Sequence, residues 1–247
     1  MKHKLRVHYF QHIAGEGFGS CYEFLKRNGA VITATEFFAL PTDTGLDIEA
    51  LPYIDDIDLL IIMGGRMSVH DEHAYPWLKI EKRWLRRYLA QKKPAIGLCL
   101  GGQLIASVLG GQVALCQQHE VGWIDVSKVQ SLGASYFSFP EQIQVMSWHR
   151  EYFEIPKGAI QLASSGQCLN QAFQLGDNVL AFQFHPEITP NVLKLFIDDE
   201  VDLDRGILMQ KDADIFEREV LQGSFFAGNK LVEQAISFVM RSKSIFI

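Results

Sequence analysis

The sequence predicts an α/β fold, an open and mostly parallel sheet flanked by helices with a small antiparallel extension. Three features carry that expectation. Apolar runs of strand length at residues 58–63, 94–98 and 179–184 are continuous rather than alternating, as strands covered on both faces are. Helical patterns fall between the early runs, so successive strands are joined by crossovers and lie parallel. The middle run ends in Gly97-Leu98-Cys99-Leu100-Gly101, a Gly-x-nucleophile-x-Gly elbow in which a strand stops, the backbone turns sharply and a helix begins at Gly102-Gln103-Leu104.

At 247 residues the chain is long enough for one large domain, or for one domain with an appendage. Its 48% hydrophobic and 21% charged residues are those of an ordinary globular protein, not of a disordered one. A net charge of −6 argues against nucleic acid or an anionic membrane as partner, since phosphate binding needs clustered Lys and Arg. Arg86, Arg87, Lys92 and Lys93 read instead as a solvated helix face and its C-terminal end. Cys21, Cys99, Cys116 and Cys168 are scattered, with no Cys-x-x-Cys, which suggests reduced thiols. No apolar signal core opens the sequence, and no run approaches the roughly 20 apolar residues that span a bilayer. The expectation is a soluble, cytoplasmic protein.

Residues 5–10 read as the first strand, and a loop through Gly15, Gly17 and Gly19 leads to a helix at 21–27 that Asn28-Gly29 closes. Gly-x-Gly-x-Gly lacks the spacing and the Lys-Ser/Thr of a nucleotide cradle, so these glycines are read as loop. Residues 30–37, rich in branched and aromatic side chains, form the second strand. The third, 58–63, runs into Gly64-Gly65-Arg66. A glycine pair at the carboxyl end of a buried parallel strand leaves backbone N–H groups open where ligands bind in such sheets. It is either a candidate oxyanion hole or a plain tight turn. Residues 76–92 give an amphipathic helix whose Trp77, Ile80, Trp84 and Tyr88 stripe is core packing. After the elbow helix and Gly110-Gly111, residues 113–115, 121–129 and 143–148 form shorter antiparallel strands, the last ending at Trp148-His149. Residues 160–164 and 171–175 are further strands, and 179–184 is the last of the core. His70-Asp71-Glu72-His73 lies in a loop without further ligands nearby, so no metal site is expected.

A thiol at a helix N-terminus meets unpaired N–H groups and the positive end of the dipole, both of which favour the thiolate. The alternative for Cys99 alone is a small buried hydrophobe. The last core strand ends in His185-Pro186-Glu187. Proline keeps the residue before it extended, so His185 continues the strand and Glu187, two residues on, points the same way. That suits a base and its orienting carboxylate, with one ring nitrogen on Glu187 and the other facing the thiol. In α/β-hydrolases the acid precedes the histidine, which sets this arrangement apart from them.

The three blocks Gly97-Leu98-Cys99-Leu100-Gly101-Gly102-Gln103, Met63-Gly64-Gly65-Arg66-Met67-Ser68-Val69 and Phe182-Gln183-Phe184-His185-Pro186-Glu187 resemble the class I (triad) glutamine amidotransferases. Glu120-Val121-Gly122-Trp123 and Ser147-Trp148-His149 resemble family segments near the pocket. The likeness spans roughly residues 5–190 and is closest to stand-alone relatives of the GMP synthetase amidotransferase domain. It implies a flavodoxin-like sheet, Cys99 as nucleophile, His185 as general base and acid, Glu187 as its partner, and the amides of Gly65 and Leu100 as the oxyanion hole. It further implies substrate contacts from Gly64, Gln103 and the backbone at Val121, Gly122 and Trp123, with no cofactor and no metal.

Two positions depart from the family pattern: Arg66 stands where proline is common, and His149-Arg150 replaces a common His-Gly. Residues 1–190 are expected to form the amidotransferase domain. Residues 191–247, with helical patterns at 192–201 and 230–240 and no nucleotide motif, are expected as helices packed on it or as a partner-binding appendage. The expected function is hydrolysis of a γ-glutamyl amide, most simply glutamine to glutamate, with ammonia passed to a separate synthase. Alternatives are a freestanding hydrolase of γ-glutamyl peptides or conjugates, and a non-enzymatic binding subunit that keeps the fold for association.

Overall fold

A computed structural model describes residues 4–40, 47–131, 133–202 and 223–241. Nine strands form one sheet in the order β2-β1-β3-β4-β9-β8-β7-β5-β6. The parallel half comprises β1 (Arg6–Gln11), β2 (Val31–Glu36), β3 (Leu59–Ile62), β4 (Ala95–Leu98) and β9 (Val179–Phe182). The antiparallel half comprises β5 (Val113–Lys128), β6 (Gln142–Phe153), β7 (Ile160–Ser165) and β8 (Ala172–Leu175). Between and after them lie α1 (Gly19–Arg27), α2 (Trp77–Ala90), α3 (Leu100–Val108), α4 (Pro190–Asp202) and α5 (Phe225–Met240).

Every residue of β3, β4 and β9 is buried, which is why these strands read as continuous apolar runs. Alternate side chains serve two separate layers. Leu59, Ile61, Ile96, Leu98, Leu180 and Phe182 pack toward α1 and α5. On the opposite face, Leu60, Ile62, Ala95, Val179 and Ala181 pack toward α2 and α3. Trp77, Trp84 and Tyr88 of α2 are buried and Ile80 is partly so, while Arg86 and Arg87 face solvent. Tyr88 also donates to the Pro94 carbonyl at 2.8 Å, tying the end of α2 to the start of β4.

The antiparallel strands extend the same sheet. Residues 113–115 and 121–129 are expected as separate strands; instead β5 is a single 16-residue strand whose register against β6 shifts between Leu115 and Glu120. Such an irregularity lets one strand bend without giving up its partner. β6 likewise runs through His149 to Phe153, so Trp148-His149 lies within a strand and not at its end.

The described helices after residue 190 pack on the sheet. Leu231, Val232, Ala235, Ile236, Val239 and Met240 of α5 are buried in the same layer as β3, β4 and β9. In α4, Leu193, Phe196 and Ile197 form a smaller cluster with Met146, Trp148 and Ile188. Among the described residues no helix is long and apolar enough to cross a membrane.

Because Ile236 is fully buried, Ile236→Ala should lower the unfolding free energy by about 2–5 kcal/mol. Phe226→Ala on the same helix, at a residue 71% exposed, should change it by no more than about 0.5 kcal/mol. Denaturant melts of the two variants check this; equal effects would show that α5 is not part of the core.

Candidate active site

β4 delivers Cys99 to the N-terminus of α3 with φ +50° and ψ −110°. A non-glycine residue in that region is strained, and it persists where its surroundings leave no alternative. Here backbone packs on backbone. The Cys99 N–H donates to the Phe182 carbonyl at 2.8 Å, and the Cys99 carbonyl accepts from Gln103 N–H at 3.0 Å. A Cβ on Gly101 would lie 2.1 Å from the Ile62 carbonyl oxygen, and one on Gly97 2.5 Å from that of Gly101. The elbow glycines are therefore required by contact. Leu100 opens α3, so its N–H has no acceptor within the helix. The thiol is only 5% exposed; it lies 3.8 Å from the Trp148 carbonyl oxygen and 3.9 Å from Gln183 Nε2.

β9 leaves its ladder after Phe182, and His185 N–H then donates to the Met146 carbonyl at 2.8 Å in a single antiparallel bridge to β6. His185 therefore does not continue β9: the chain bends at Gln183-Phe184, pairs once at His185 and turns at Pro186-Glu187. His185 Nδ1 stands 2.9 Å from Glu187 Oε1, and both residues are buried. Burial opposes the imidazolium, yet the Glu187 carboxylate and the Cys99 sulfur outweigh it and hold His185 well above its ordinary pKa.

β3 ends one strand away, and its Gly64-Gly65 pair closes the third side. A Cβ on Gly64 would lie 2.8 Å from His185 Cε1 and 3.7 Å from Cys99 Cβ, and one on Gly65 would lie 2.8 Å from Leu100 Cδ2. Three neighbouring strand ends thus bring a thiol, an imidazole, a carboxylate and a glycine-flanked peptide into one place. Such a set is competent for nucleophilic attack on a carbonyl, with backbone donors for the oxyanion.

Cys99, His185, Gly65 and Gln103 line one cavity of about 300 Å³, together with Glu16, Arg66, Arg150, Leu195 and Phe196. Gln103 Nε2 donates to the Glu151 carbonyl at 2.9 Å and to Gln183 Oε1 at 3.3 Å, which sets its amide at the cavity wall. Val121, Gly122 and Trp123 do not line this cavity. Val121 and Trp123, opposite Trp148 and Met146 on β6, turn toward the α4 cluster, where Trp123 meets Phe225 edge-on at 5.1 Å. Trp148 and Arg150 of β6 reach the cavity instead.

His149 also borders it, with Nδ1 3.6 Å from Cys116 Sγ and Nε2 3.1 Å from Glu120 Oε2. Burial pushes the Cys116 thiol up to about 12, so this group offers no second thiolate. Among the described residues no cluster of three His, Cys, Asp or Glu is placed to hold a metal. His70 bonds the Val113 carbonyl, and Glu72 pairs with Lys82.

Glu16 is a cavity group with no counterpart in the motif blocks. It sits on the β1–α1 loop, and its Oε2 lies 2.7 Å from where a Gly64 Cβ would stand. Burial raises its pKa to about 7, against the pull of His185 and His12. Where that loop enters α1, a Cβ on Gly19 (φ +54°) would lie 2.3 Å from the Glu187 carbonyl oxygen, which also accepts from Ser20 N–H. The loop is shaped to fit the end of β9, not to cradle a phosphate.

The family model for glutamine amidotransferase class-I matches residues 22–200. A glutamine amidotransferase-like protein of Salmonella typhimurium is 28% identical over 75% of this chain and 77% of its own. The GMP synthase of Bacillus pumilus is 29% identical over 72% of this chain but only 34% of its own, so the match spans about a third of that enzyme. Gamma-glutamyl peptidase 2 of Arabidopsis thaliana is 32% identical over 43% of this chain and 45% of its own. Among solved structures, a glutamine amidotransferase from Thermotoga maritima superposes with a TM-score of 0.80 at 25% identity, covering 95% of this chain and 97% of that one.

Glu16 sets a pH dependence. With its pKa near 7 in the folded state against an ordinary value of 4.5, the folded protein binds a proton that the unfolded chain has released. Stability therefore falls as pH rises through that window, and Glu16→Gln should abolish this part of the fall. Denaturant midpoints at about pH 5 and about pH 8 test it: the advantage of the variant over wild type should widen at the higher pH, and a constant difference would contradict it.

Proposed function

The chain belongs to the class I glutamine amidotransferases, and on that basis we propose that it hydrolyses a γ-glutamyl amide, glutamine foremost, through Cys99, His185 and Glu187. The observation that supports this reading is the meeting of the β3, β4 and β9 ends, with His185 bonded to Glu187 and facing the elbow thiol. The Cys99 thiolate attacks the γ-carbonyl carbon, and the carbonyl electron pair moves to oxygen. The N–H groups of Gly65 and Leu100 hold that oxyanion, each donor being worth about 2.7–4 kcal/mol in such sites. His185, as imidazolium, gives its proton to the departing nitrogen; ammonia leaves and a γ-glutamyl thioester remains. Neutral His185 then takes a proton from water as the water attacks the thioester, and the thiol is restored as glutamate departs. Glu187 fixes the tautomer and stabilises the imidazolium, acting through His185 rather than on substrate.

Gln103 and the charged cavity groups Glu16, Arg66 and Arg150 suit a zwitterionic substrate. Ammonia released here is of use to a synthase, as the glutamine-hydrolysing GMP synthase among the relatives suggests. A second reading, a freestanding γ-glutamyl peptide hydrolase, draws on one observation. The cavity runs past the thiol to Leu115, Leu195 and Phe196, apolar ground on which a leaving group larger than ammonia can rest.

Turnover of glutamine and of γ-glutamyl peptides by wild type and Cys99→Ala side by side tests both readings. Cys99→Ala is expected to lose all turnover, and retained hydrolysis refutes the assignment. A higher kcat/KM for the peptides would place the second reading first.

A further inference from the structure

Gly64 and Gly65 create a problem for the site they serve. Contacts with His185 and Leu100 exclude side chains from both, and two adjacent glycines leave the peptide between them free to rotate about its flanking bonds. An oxyanion donor is useful only when it points at the oxygen. Something must hold this peptide.

Behind it lies a buried pair on neither reacting strand end. His12, just beyond β1, places Nδ1 2.9 Å from the Gly64 carbonyl oxygen and Nε2 3.1 Å from Glu81 Oε1 of α2. Both residues are fully buried, and Phe37 and Trp77 stack on the imidazole with ring centroids 5.5 Å away. A carbonyl carries no proton, so Nδ1 must be the donor whichever partner holds the proton between Nε2 and Glu81. Burial disfavours the charged ring, but Glu81 and the Gly64 carbonyl outweigh it. A buried ion pair is a poor source of stability, because desolvation offsets most of its attraction. Its geometry is the more telling feature.

We propose that the His12–Glu81 pair is a positioning device for the oxyanion hole: by holding the Gly64 carbonyl from behind, it aims the Gly65 N–H at the cavity and the thiol. The peptide is trans, so its C=O and N–H point in opposite directions, and fixing one aims the other. His12 lies outside the cavity lining while Gly65 and Cys99 belong to it. The bond to the carbonyl also polarises the peptide and strengthens its N–H as a donor. This rests on the proposed amide hydrolysis, for which Gly65 supplies one of the two donors.

Two substitutions of similar polarity separate positioning from packing. His12→Asn places an amide N–H near the Nδ1 position and keeps the bond to Gly64, whereas His12→Gln reaches toward Glu81 and gives that bond up. A third, His12→Leu with Glu81→Leu, removes both bonds without stranding a charge. The Gln and double-Leu variants should lose about ten- to a hundredfold in kcat with KM within about twofold, less than the 10²–10³ that outright loss of an oxyanion donor costs. His12→Asn should keep most of kcat. Alkylation of Cys99 by iodoacetamide, a displacement at saturated carbon that forms no oxyanion, should proceed at the wild-type rate in all three, read by peptide mass spectrometry.

Equal kcat in the Asn and Gln variants, or alkylation falling in step with kcat, would overturn the proposal. Crystal structures of the variants give a readout that needs no turnover. A Gly64–Gly65 peptide turned away in the Gln or double-Leu variant supports the role, and an unmoved peptide refutes it. If the wild type itself hydrolyses no γ-glutamyl compound, the proposed function fails, while the peptide orientation still decides whether His12 sets it.

Discussion

Cys99 carries a side chain in a backbone conformation that is strained by about 1–3 kcal/mol for a non-glycine residue, and the surrounding structure is arranged to make it unavoidable. The Phe182 carbonyl takes its N–H, the first turn of α3 takes its carbonyl, and the close approach of Gly101 to the Ile62 backbone leaves the elbow no room to shift toward β3. Relaxing it would mean separating β4 from both of its neighbours. The conformation lifts the sulfur off the sheet's end and puts the first amide of α3 beside it. Strain here is a means of direction.

The two layers of core hold those neighbours in register. Alternate residues of β3, β4 and β9 are clamped between α1 and α5 on one face and α2 and α3 on the other, so a side chain at the end of one strand has a fixed relation to the next. α5 lies far from Cys99 in the chain yet packs directly on the strands around it. The antiparallel half contributes through the bridge from Met146 to His185, which catches the chain as it leaves β9. Without that bridge the histidine would hang from a strand that had already ended.

What was legible in the sequence was what lies close along the chain. The elbow, the glycine pair and His185-Pro186-Glu187 are short motifs close along the chain, and the carboxylate and ring do meet at 2.9 Å, although across a turn at Pro186-Glu187 and not along a continued strand. The continuity of β5 was hidden, because Cys116, Gln117, Gln118 and His119 interrupt its apolar pattern while the backbone keeps pairing across a register shift. Register also decided the fate of Val121, Gly122 and Trp123: a strand's neighbours, and not its composition, set which face meets the cavity. His12 and Glu81 were invisible for a different reason. Their partners are 52 and 69 residues away, and a lone histidine before a loop and a glutamate on an amphipathic helix look like ordinary surface residues until the helix is docked.

The segment after β1 supplies none of Cys99, His185 and Glu187, yet His12 bonds the peptide at the end of β3, Glu16 crowds Gly64, and Gly19 lies against the backbone of Glu187. One short stretch gauges the distance between strands on either side of Cys99. A designer who grafted only the elbow, the glycine pair and the His-Pro-Glu corner onto another parallel sheet would reproduce the chemistry's parts list and lose its calibration. The unit that has to be transplanted is four strand ends wide.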